Sequence, residues 1–186
     1  MGSALIKNID KIDNSLDAEI HSLKNHDNSL RAIESGKVKP FTLGWREWLG
    51  LPDLGLPALK AKVDTGAKTS ALHAFELSPY RQGGKDYVRF SMHPLQNRLS
   101  PVVECRALLL DQRQVTDSGG HKEMRYVIET MLVLAGQRWP IELTLTNRDS
   151  MRFRMLLGRQ AMLGRVVVDP ATSYLCGKPD IKALYS

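Results

Sequence analysis

The stretch Ala61-Lys62-Val63-Asp64-Thr65-Gly66-Ala67 decides how this chain is interpreted. It predicts a strand that ends in an acid, so that the carboxylate of Asp64 points into a cleft. The hydroxyl of Thr65 can form a hydrogen bond that holds the following loop rigid. Gly66 lets the backbone turn and lets another chain or a substrate come close. An ordinary turn is the alternative, because Asp-Thr-Gly also occurs between strands by chance.

A second stretch, Met155-Leu156-Leu157-Gly158-Arg159, places apolar residues before a glycine, and a short helix is predicted after it. Asp-Thr-Gly-Ala followed by such an element resembles the retropepsin-like aspartic peptidases, in which the element packs under the catalytic loop. Asp64 and Gly158 are 94 residues apart. This spacing is longer than in that fold, so extra strands or a longer flap must fill it. The resemblance implies catalytic roles for Asp64, Thr65 and Gly66, and support of the active site by Ala67, Leu157, Gly158 and Arg159.

A closer resemblance covers nearly all of residues 43–176 and is most specific over residues 60–74. The segments that carry it are Gly44-Trp45-Arg46-Glu47-Trp48, residues 59–74, residues 117–121 with 125–128, residues 143–148 and residues 155–161. These segments are similar to a bacterial family named ATP-dependent zinc proteases, which is grouped with the retropepsin-like peptidases. Its members often accompany ATP-grasp glutamate ligases. The resemblance implies a peptide or protein substrate and an ATP-grasp ligase as an associated protein.

The family name conflicts with the residues. The sequence has no P-loop for a nucleotide, and it has neither His-Glu-x-x-His nor Cys-x-x-Cys for zinc. A zinc site assembled from His73, His93, His121 and an acid would need a coincidence of folding. We therefore expect acid chemistry with no metal and no cofactor, and we keep a zinc metalloprotease as the third hypothesis.

An aspartic peptidase needs two carboxylates that lie close enough to share a proton. A second Asp-Ser-Gly begins at Asp117, but only 53 residues separate it from Asp64, and no second apolar-apolar-Gly-Arg follows. We therefore expect a homodimer in which the Asp64 side chains of two copies meet at the two-fold axis. The residues Ser118, Gly119, Gly120 and His121 are interpreted as the tip of a substrate-binding hairpin flap, or as an idle hairpin turn.

A function of another class stays open, namely a peptide-binding or regulatory module that keeps the fold, lacks proteolysis and acts with an ATP-grasp glutamate ligase. In that case Arg46, Lys68 and Arg159 would form a basic cleft for an acidic peptide such as poly-glutamate. The surroundings of Asp64 discriminate between the two hypotheses. A second carboxylate within hydrogen-bonding range favours catalysis, whereas pairing with Arg or Lys favours binding or a structural role.

After Pro40 the sequence predicts a mainly β protein, a retropepsin-like closed β barrel with a flap hairpin and one short helix near residues 160–163. Strands are predicted at residues 58–63, 87–93, 102–110, 124–134, 138–145 and 166–168. Before Pro40, leucines and isoleucines repeat every seven residues and predict an amphipathic α-helix over residues 4–34. We therefore divide the chain into a helix with its linker (residues 1–40) and a β domain (residues 41–186). The helix either docks on a partner or lies against its own domain.

Composition excludes several classes of protein. The 186 residues are 42% hydrophobic and 25% charged, and no apolar run reaches the ~18 residues that span a bilayer. Residues 1–40 hold six basic and six acidic residues, so the whole net charge of +6 belongs to residues 41–186. Because only 6% of residues are aromatic, we expect a basic solvated surface and no nucleic-acid partner. Because no long apolar run is present, we expect no membrane partner. Cys105 and Cys176 are expected to be buried and reduced, and no signal peptide is visible, so a cytoplasmic protein is expected.

Overall fold

The computed structural model describes residues 39–116, 119–147 and 152–185. The helix predicted over residues 4–34 lies outside them and stays a prediction. Among the described residues strands dominate, which confirms the mainly β fold class. The elements are β1 (Phe41–Gly44), β2 (Arg46–Leu51), a 3₁₀ turn (Pro52–Leu54), β3 (Leu56–Asp64), β4 (Ser70–His73), β5 (Phe75–Gln82), β6 (Lys85–Met92), β7 (Val103–Thr116), β8 (Lys122–Leu134), β9 (Gln137–Thr146), β10 (Met155–Gly158), α1 (Arg159–Met162), β11 (Val166–Asp169) and α2 (Ile181–Leu184).

Strands β2 to β10 form one sheet, in the order β2-β3-β10-β4-β9-β8-β7-β6-β5. An additional pairing of Gly50 with Val133 joins β2 to β8. The strands from β2 to β8 in that order therefore close into a barrel, and β7, β6 and β5 extend from it. The predicted closed barrel is confirmed. Strands β1 and β11 form a separate two-stranded sheet.

Alternation along β3 explains how this strand sits in the barrel. Leu59, Ala61 and Val63 are buried, whereas Lys60 and Lys62 between them are not. Successive side chains of a strand point to opposite faces of the sheet. One face of β3 therefore lines the barrel core, and the other face, which carries the lysines, is the outer face.

Two parallel pairings bring distant segments together. β10 lies parallel to β3, with Gly158 opposite Asp64, and β4 lies parallel to β9. Parallel neighbours need long connections. The interval between Asp64 and Gly158 holds β4 to β9, which is the additional structure that the 94-residue spacing required.

The predicted strands coincide with β3, β6, β7, β8, β9 and β11, and the predicted short helix with α1. The sequence pattern did not predict β1, β2, β4, β5 or β10 as strands. All four residues of β4 are buried, and three of the four in β10 are. Strands that are buried on both faces lack the alternation on which prediction depends.

Contacts divide the chain into two units. The larger one, Thr42–Met162 with Val168–Ser186, contains the candidate site. The smaller one comprises Met1–Phe41 and Leu163–Val167, and there the N–H of Phe41 donates to the carbonyl of Arg165. The division that the sequence suggests after residue 40 stays a prediction.

Candidate active site

Asp64 is the last residue of β3, and the loop of residues 65–69 follows it. Its Oδ1 accepts hydrogen bonds from the backbone N–H groups of Gly66 and Ala67, both at 3.1 Å. The side chain is half-buried. Within the part of the chain that the structure describes, Asp64 forms no ion pair, and its Oδ2 accepts no hydrogen bond. The loop thus orients the carboxylate and leaves one of its oxygens open.

The end of β10 supports this loop through close contact. A Cβ on Gly158 would lie 2.6 Å from the carbonyl carbon of Thr69, so no side chain fits there. The N–H of Gly158 donates to the buried hydroxyl of Ser70 at 3.0 Å. Leu157, the residue before it, is fully buried. Glycine is therefore required where the loop passes over β10.

The beginning of α1 holds the same loop by donating hydrogen bonds to carbonyl groups of the loop. The N–H of Arg159 donates to the carbonyl of Ala67 at 2.9 Å, and the N–H of Gln160 donates to that of Lys68 at 3.1 Å. The guanidinium of Arg159 adds a bond from Nη1 to the carbonyl of Gly66 at 2.9 Å. The first N–H groups of a helix have no partner within the helix. Here they bind the loop that carries Asp64.

The long hairpin predicted around residues 117–121 is formed by β7 and β8, and its ladder continues up to the pair Thr116 and Lys122. Residues 119–121 in its connection are exposed. Ser118, which was predicted with them, lies outside the described residues. The role of the tip as a flap over Asp64 stays a prediction.

Glu47 is a buried carboxylate that sequence reasoning did not single out. It has no exposed surface, and it accepts hydrogen bonds from the N–H groups of Gly44 (2.7 Å), Leu175 (2.9 Å) and Cys176 (3.2 Å). Buried charges are tolerated when they are hydrogen-bonded in this way. Glu47 therefore ties β2 to the segment after β11. The signal that could have revealed it is an acid directly before the aromatic and apolar residues of β2.

Both cysteines are free thiols. Cys105 is buried as expected, but Cys176 is only half-buried. Burial raises the pKa of Cys105 to about 12. Burial and the neighbouring carboxylate of Glu47 raise the pKa of Cys176 to about 11. Since the thiolate is the reactive form, burial makes both thiols poor nucleophiles near neutral pH.

Most described basic residues are exposed, but two arginines are exceptions to the expected solvated basic surface. Arg125 and Arg154 are 7% and 9% exposed. Arg125 pairs with Glu123 at 2.7 Å. Arg154 forms no ion pair with any described residue, and its Nε is buried without a hydrogen-bond partner there.

The basic cleft that was considered for an acidic peptide is largely occupied by contacts of the chain itself. The guanidinium of Arg46 lies 4.4 Å from the ring centre of Trp45 and 4.9 Å from that of Tyr174. Arg159 binds the loop after Asp64. Of the three residues in that hypothesis, only Lys68 presents an exposed side chain without a described contact.

The histidines considered for zinc differ in their surroundings. His73 is 1% exposed, His93 stacks on the ring of Phe75 at 4.6 Å, and His121 is exposed. Within residues 39–116, 119–147 and 152–185, no group of three or more His, Cys, Asp or Glu side chains is placed to hold a metal ion. No helix among these residues is long and apolar enough to cross a membrane.

Comparison with known proteins gives a family match. The model of the RimB-like family, described as the retropepsin-like aspartic endopeptidase RimB, matches residues 42–179. The crystal structure of the protein Lpg0085 of Legionella pneumophila, described as a DUF785 protein of unknown function, is similar with a TM-score of 0.64 and 26% identity. The similarity covers 74% of this chain and 99% of that one.

Two curated relatives are both named probable alpha-L-glutamate ligase. The one from Parasynechococcus marenigrum is 50% identical over 152 residues, which is 80% of this chain and 33% of the relative. The one from Shewanella pealeana is 44% identical over 148 residues, 78% of this chain and 32% of the relative. The chain thus spans about a third of the length of these relatives.

Proposed function

The chain belongs to the RimB-like family of retropepsin-like aspartic endopeptidases, and on this premise we propose that it hydrolyses peptide bonds with two Asp64 side chains contributed by two copies of the chain. The observation that carries the proposal is the geometry of Asp64. One carboxylate oxygen is oriented by loop amides, and the other is open. That arrangement suits a carboxylate that exchanges a proton with a second carboxylate and with water.

Hydrolysis by this mechanism requires a pair of carboxylates. Two carboxylates in contact cannot both ionise, so they share one proton and their two apparent pKa values separate. The ionised member takes a proton from the attacking water. The protonated member polarises the carbonyl of the scissile bond.

A homodimer would supply the second carboxylate. No acidic side chain among the described residues forms a hydrogen bond with Asp64, so a single copy provides half of the dyad there. Thr65, next to it, is exposed, which leaves its hydroxyl available to the loop of a partner. The tips of two β7–β8 hairpins would then close over an extended peptide.

An experiment that mixes wild-type and Asp64→Asn chains tests whether two copies share the catalytic dyad. Asp64→Asn should lower peptide hydrolysis by at least about 100-fold, as loss of a general acid or base does. When equal amounts of wild-type and Asp64→Asn chains are refolded together, random dimers should retain about half of the activity per wild-type chain, because only wild-type pairs hold two carboxylates. Activity per wild-type chain that stays constant over all mixing ratios would exclude a dyad shared between copies. Full activity of Asp64→Asn alone would exclude the aspartic mechanism.

The names of the relatives favour a second candidate function. Each is called a probable alpha-L-glutamate ligase, and the part similar to this chain is about a third of its length. We therefore also propose that the chain acts with an ATP-grasp glutamate ligase on glutamate-rich peptides, either by cleaving them or by binding them without cleavage. Hydrolysis of a hexaglutamate peptide, followed by chromatography of the products, separates the two. A wild-type protein that binds this peptide and never cleaves it would be a binding module.

A further inference from the structure

The register of the strands places a charged face beside Asp64. Asp64 and Gly158 are opposite each other in β3 and β10, and cross-strand neighbours share a face. Because side chains alternate along a strand, Leu156 lies on the same face as Gly158. Arg154, one residue before the first residue of β10, lies on that face as well. Lys62, opposite Leu156, is exposed. Arg154 and Asp64 therefore lie on the face of the sheet opposite to the one that carries Met155 and Leu157. On that face Asp64 is half-buried, whereas Arg154 is 9% exposed.

The same face continues across β4 and β9 to the base of the β7–β8 hairpin. The N–H of His73 donates to the carbonyl of Arg154 at 2.8 Å, which extends the β4–β10 ladder by one pair. His73 is in turn opposite Thr146 of β9. The hydroxyl of Thr146 contacts the carboxylate of Glu123 at 3.2 Å, and the same carboxylate pairs with Arg125.

The acids near this face already have partners. Glu123 is bound by Arg125, and Asp111 and Glu142 are both bound by Arg113, at 2.7 and 2.8 Å. Arg154 is left without a carboxylate in the described part of the chain, although it is more than nine-tenths buried.

A buried cation without a partner is costly, so its retention needs a reason. Arg46 also has a buried Nε without a hydrogen-bond partner, but its guanidinium lies over the rings of Trp45 and Tyr174, which attract a cation. No aromatic contact or ion pair of this kind is formed by Arg154 within the described residues.

We propose that Arg154 binds a carboxylate of the peptide that occupies the Asp64 face, and that it thereby determines specificity for acidic substrates. The proposal rests on the proposed function in one respect, that the peptide lies along this face. Four residues of strand separate Arg154 from Gly158, which corresponds to about 13 Å. The guanidinium would therefore reach an acidic side chain, or a free C-terminal carboxylate, about two to four residues from the scissile bond.

Binding to an inactive protein tests the proposal without requiring hydrolysis. The full chain with Asp64→Asn is titrated into fluorescein-labelled hexaglutamate and hexaglutamine peptides, each with a free and with an amidated C-terminus, and anisotropy is measured. Arg154→Met should weaken hexaglutamate binding by about 10- to 100-fold, as loss of a charge-assisted hydrogen bond does. It should leave the binding of hexaglutamine with an amidated C-terminus unchanged, because that peptide carries no carboxylate. If only the amidated peptides lose this sensitivity, the group bound is the C-terminal carboxylate and not a side chain.

Arg138→Met is the matched control. Arg138 is exposed near the beginning of β9, so its substitution removes the same charge from a position remote from the face. An equal loss of affinity in both variants would overturn the proposal, because it would mean general attraction of an acidic peptide to a basic protein. The thermal midpoint supplies a second readout. Arg154→Met should not lower it, since an unpaired buried charge is removed, and a lower midpoint with equal losses for both peptides would show a structural role instead.

Cleavage assays with the wild-type protein distinguish failure of the peptide-hydrolysis proposal from failure of the Arg154 proposal. If the wild type cleaves hexaglutamate and hexaglutamine equally well and Arg154→Met changes neither, the proposal for Arg154 fails while peptide hydrolysis stands. If no peptide is cleaved but hexaglutamate binding depends on Arg154, hydrolysis fails and the anion site stands.

Discussion

Two carboxylates, one on β2 and one at the end of β3, illustrate opposite uses of the same chemical group. Glu47 is fully buried, and three backbone N–H groups bind its oxygens. Asp64 is half-buried, and two N–H groups bind one of its oxygens while the other is open. A carboxylate whose acceptor capacity is used by the backbone holds the chain together, whereas one with an open oxygen can bind a proton, a water or a second carboxylate.

The two carboxylates also differ in how far away in sequence their hydrogen-bond partners lie. Glu47 joins β2 to a segment more than 120 residues away in sequence, with partners at Leu175 and Cys176. The hydrogen bonds of Asp64 are local, to residues two and three positions later. Loss of the first site should therefore affect stability, and loss of the second should affect activity.

The largest expected effect on stability is that of Glu47→Gln. The amide oxygen could still accept from Gly44 and Leu175, but the N–H₂ group would face the N–H of Cys176, and the charge-assisted character of all three hydrogen bonds would be lost. The free energy of unfolding should therefore fall by about 3 kcal/mol. Urea denaturation measures the change. Asp64→Asn is the matched control, because Oδ1 can still accept from Gly66 and Ala67, and it should change stability by less than about 1 kcal/mol. An equal loss of stability in both variants would contradict the distinction between a structural Glu47 and a functional Asp64.

A smaller effect is expected for Gly158→Ala, which tests how firmly β10 supports the Asp64 loop. The backbone of Gly158 does not have a positive φ, so the cost is steric: the new methyl group would press against Thr69. We expect a destabilisation of about 2 kcal/mol and a fall in kcat that exceeds the fall in folded protein, because the loop moves. A variant with wild-type stability and kcat would show that the contact does not position Asp64.

The smallest expected effect is on the alkylation rate of Cys176, the thiol beside Glu47. Because the pKa of Cys176 is raised to about 11, its thiolate fraction at pH 8 is very low, and alkylation by iodoacetamide should accelerate with each unit of pH up to about pH 11. Glu47→Gln removes the negative charge, so the pKa should fall and the rate at pH 8 should rise. Peptide mass spectrometry separates Cys176 from Cys105. An unchanged rate in the folded variant would mean that Glu47 does not influence this thiol.

Sequence reasoning found the motif residues because they are close in sequence or carry a short pattern. Asp64 ends a strand whose alternation is visible, and the glycine of the β10 element belongs to a short pattern whose glycine packs against Thr69. Five strands were missed: β1, β2, β4, β5 and β10. In β4 and β10 the reason is that almost all residues are buried, so the alternation of a half-buried strand is absent. Glu47 and Arg154 were missed because a charged residue among apolar and aromatic neighbours in sequence shows neither its burial nor its partners.

The sequence by itself determined the alternating strands, the turns at the hairpins, the acid at the end of β3 and the glycine of β10. These features depend on local backbone preference and on the two-residue period of a strand. Only the tertiary structure decided that Asp64 and Gly158 lie side by side, that Glu47 is bound by three N–H groups and that Arg154 is buried without a carboxylate. Pairing across 94 residues and the balance of buried charges depend on which strands become neighbours, and that arrangement is set by burial of the whole sheet.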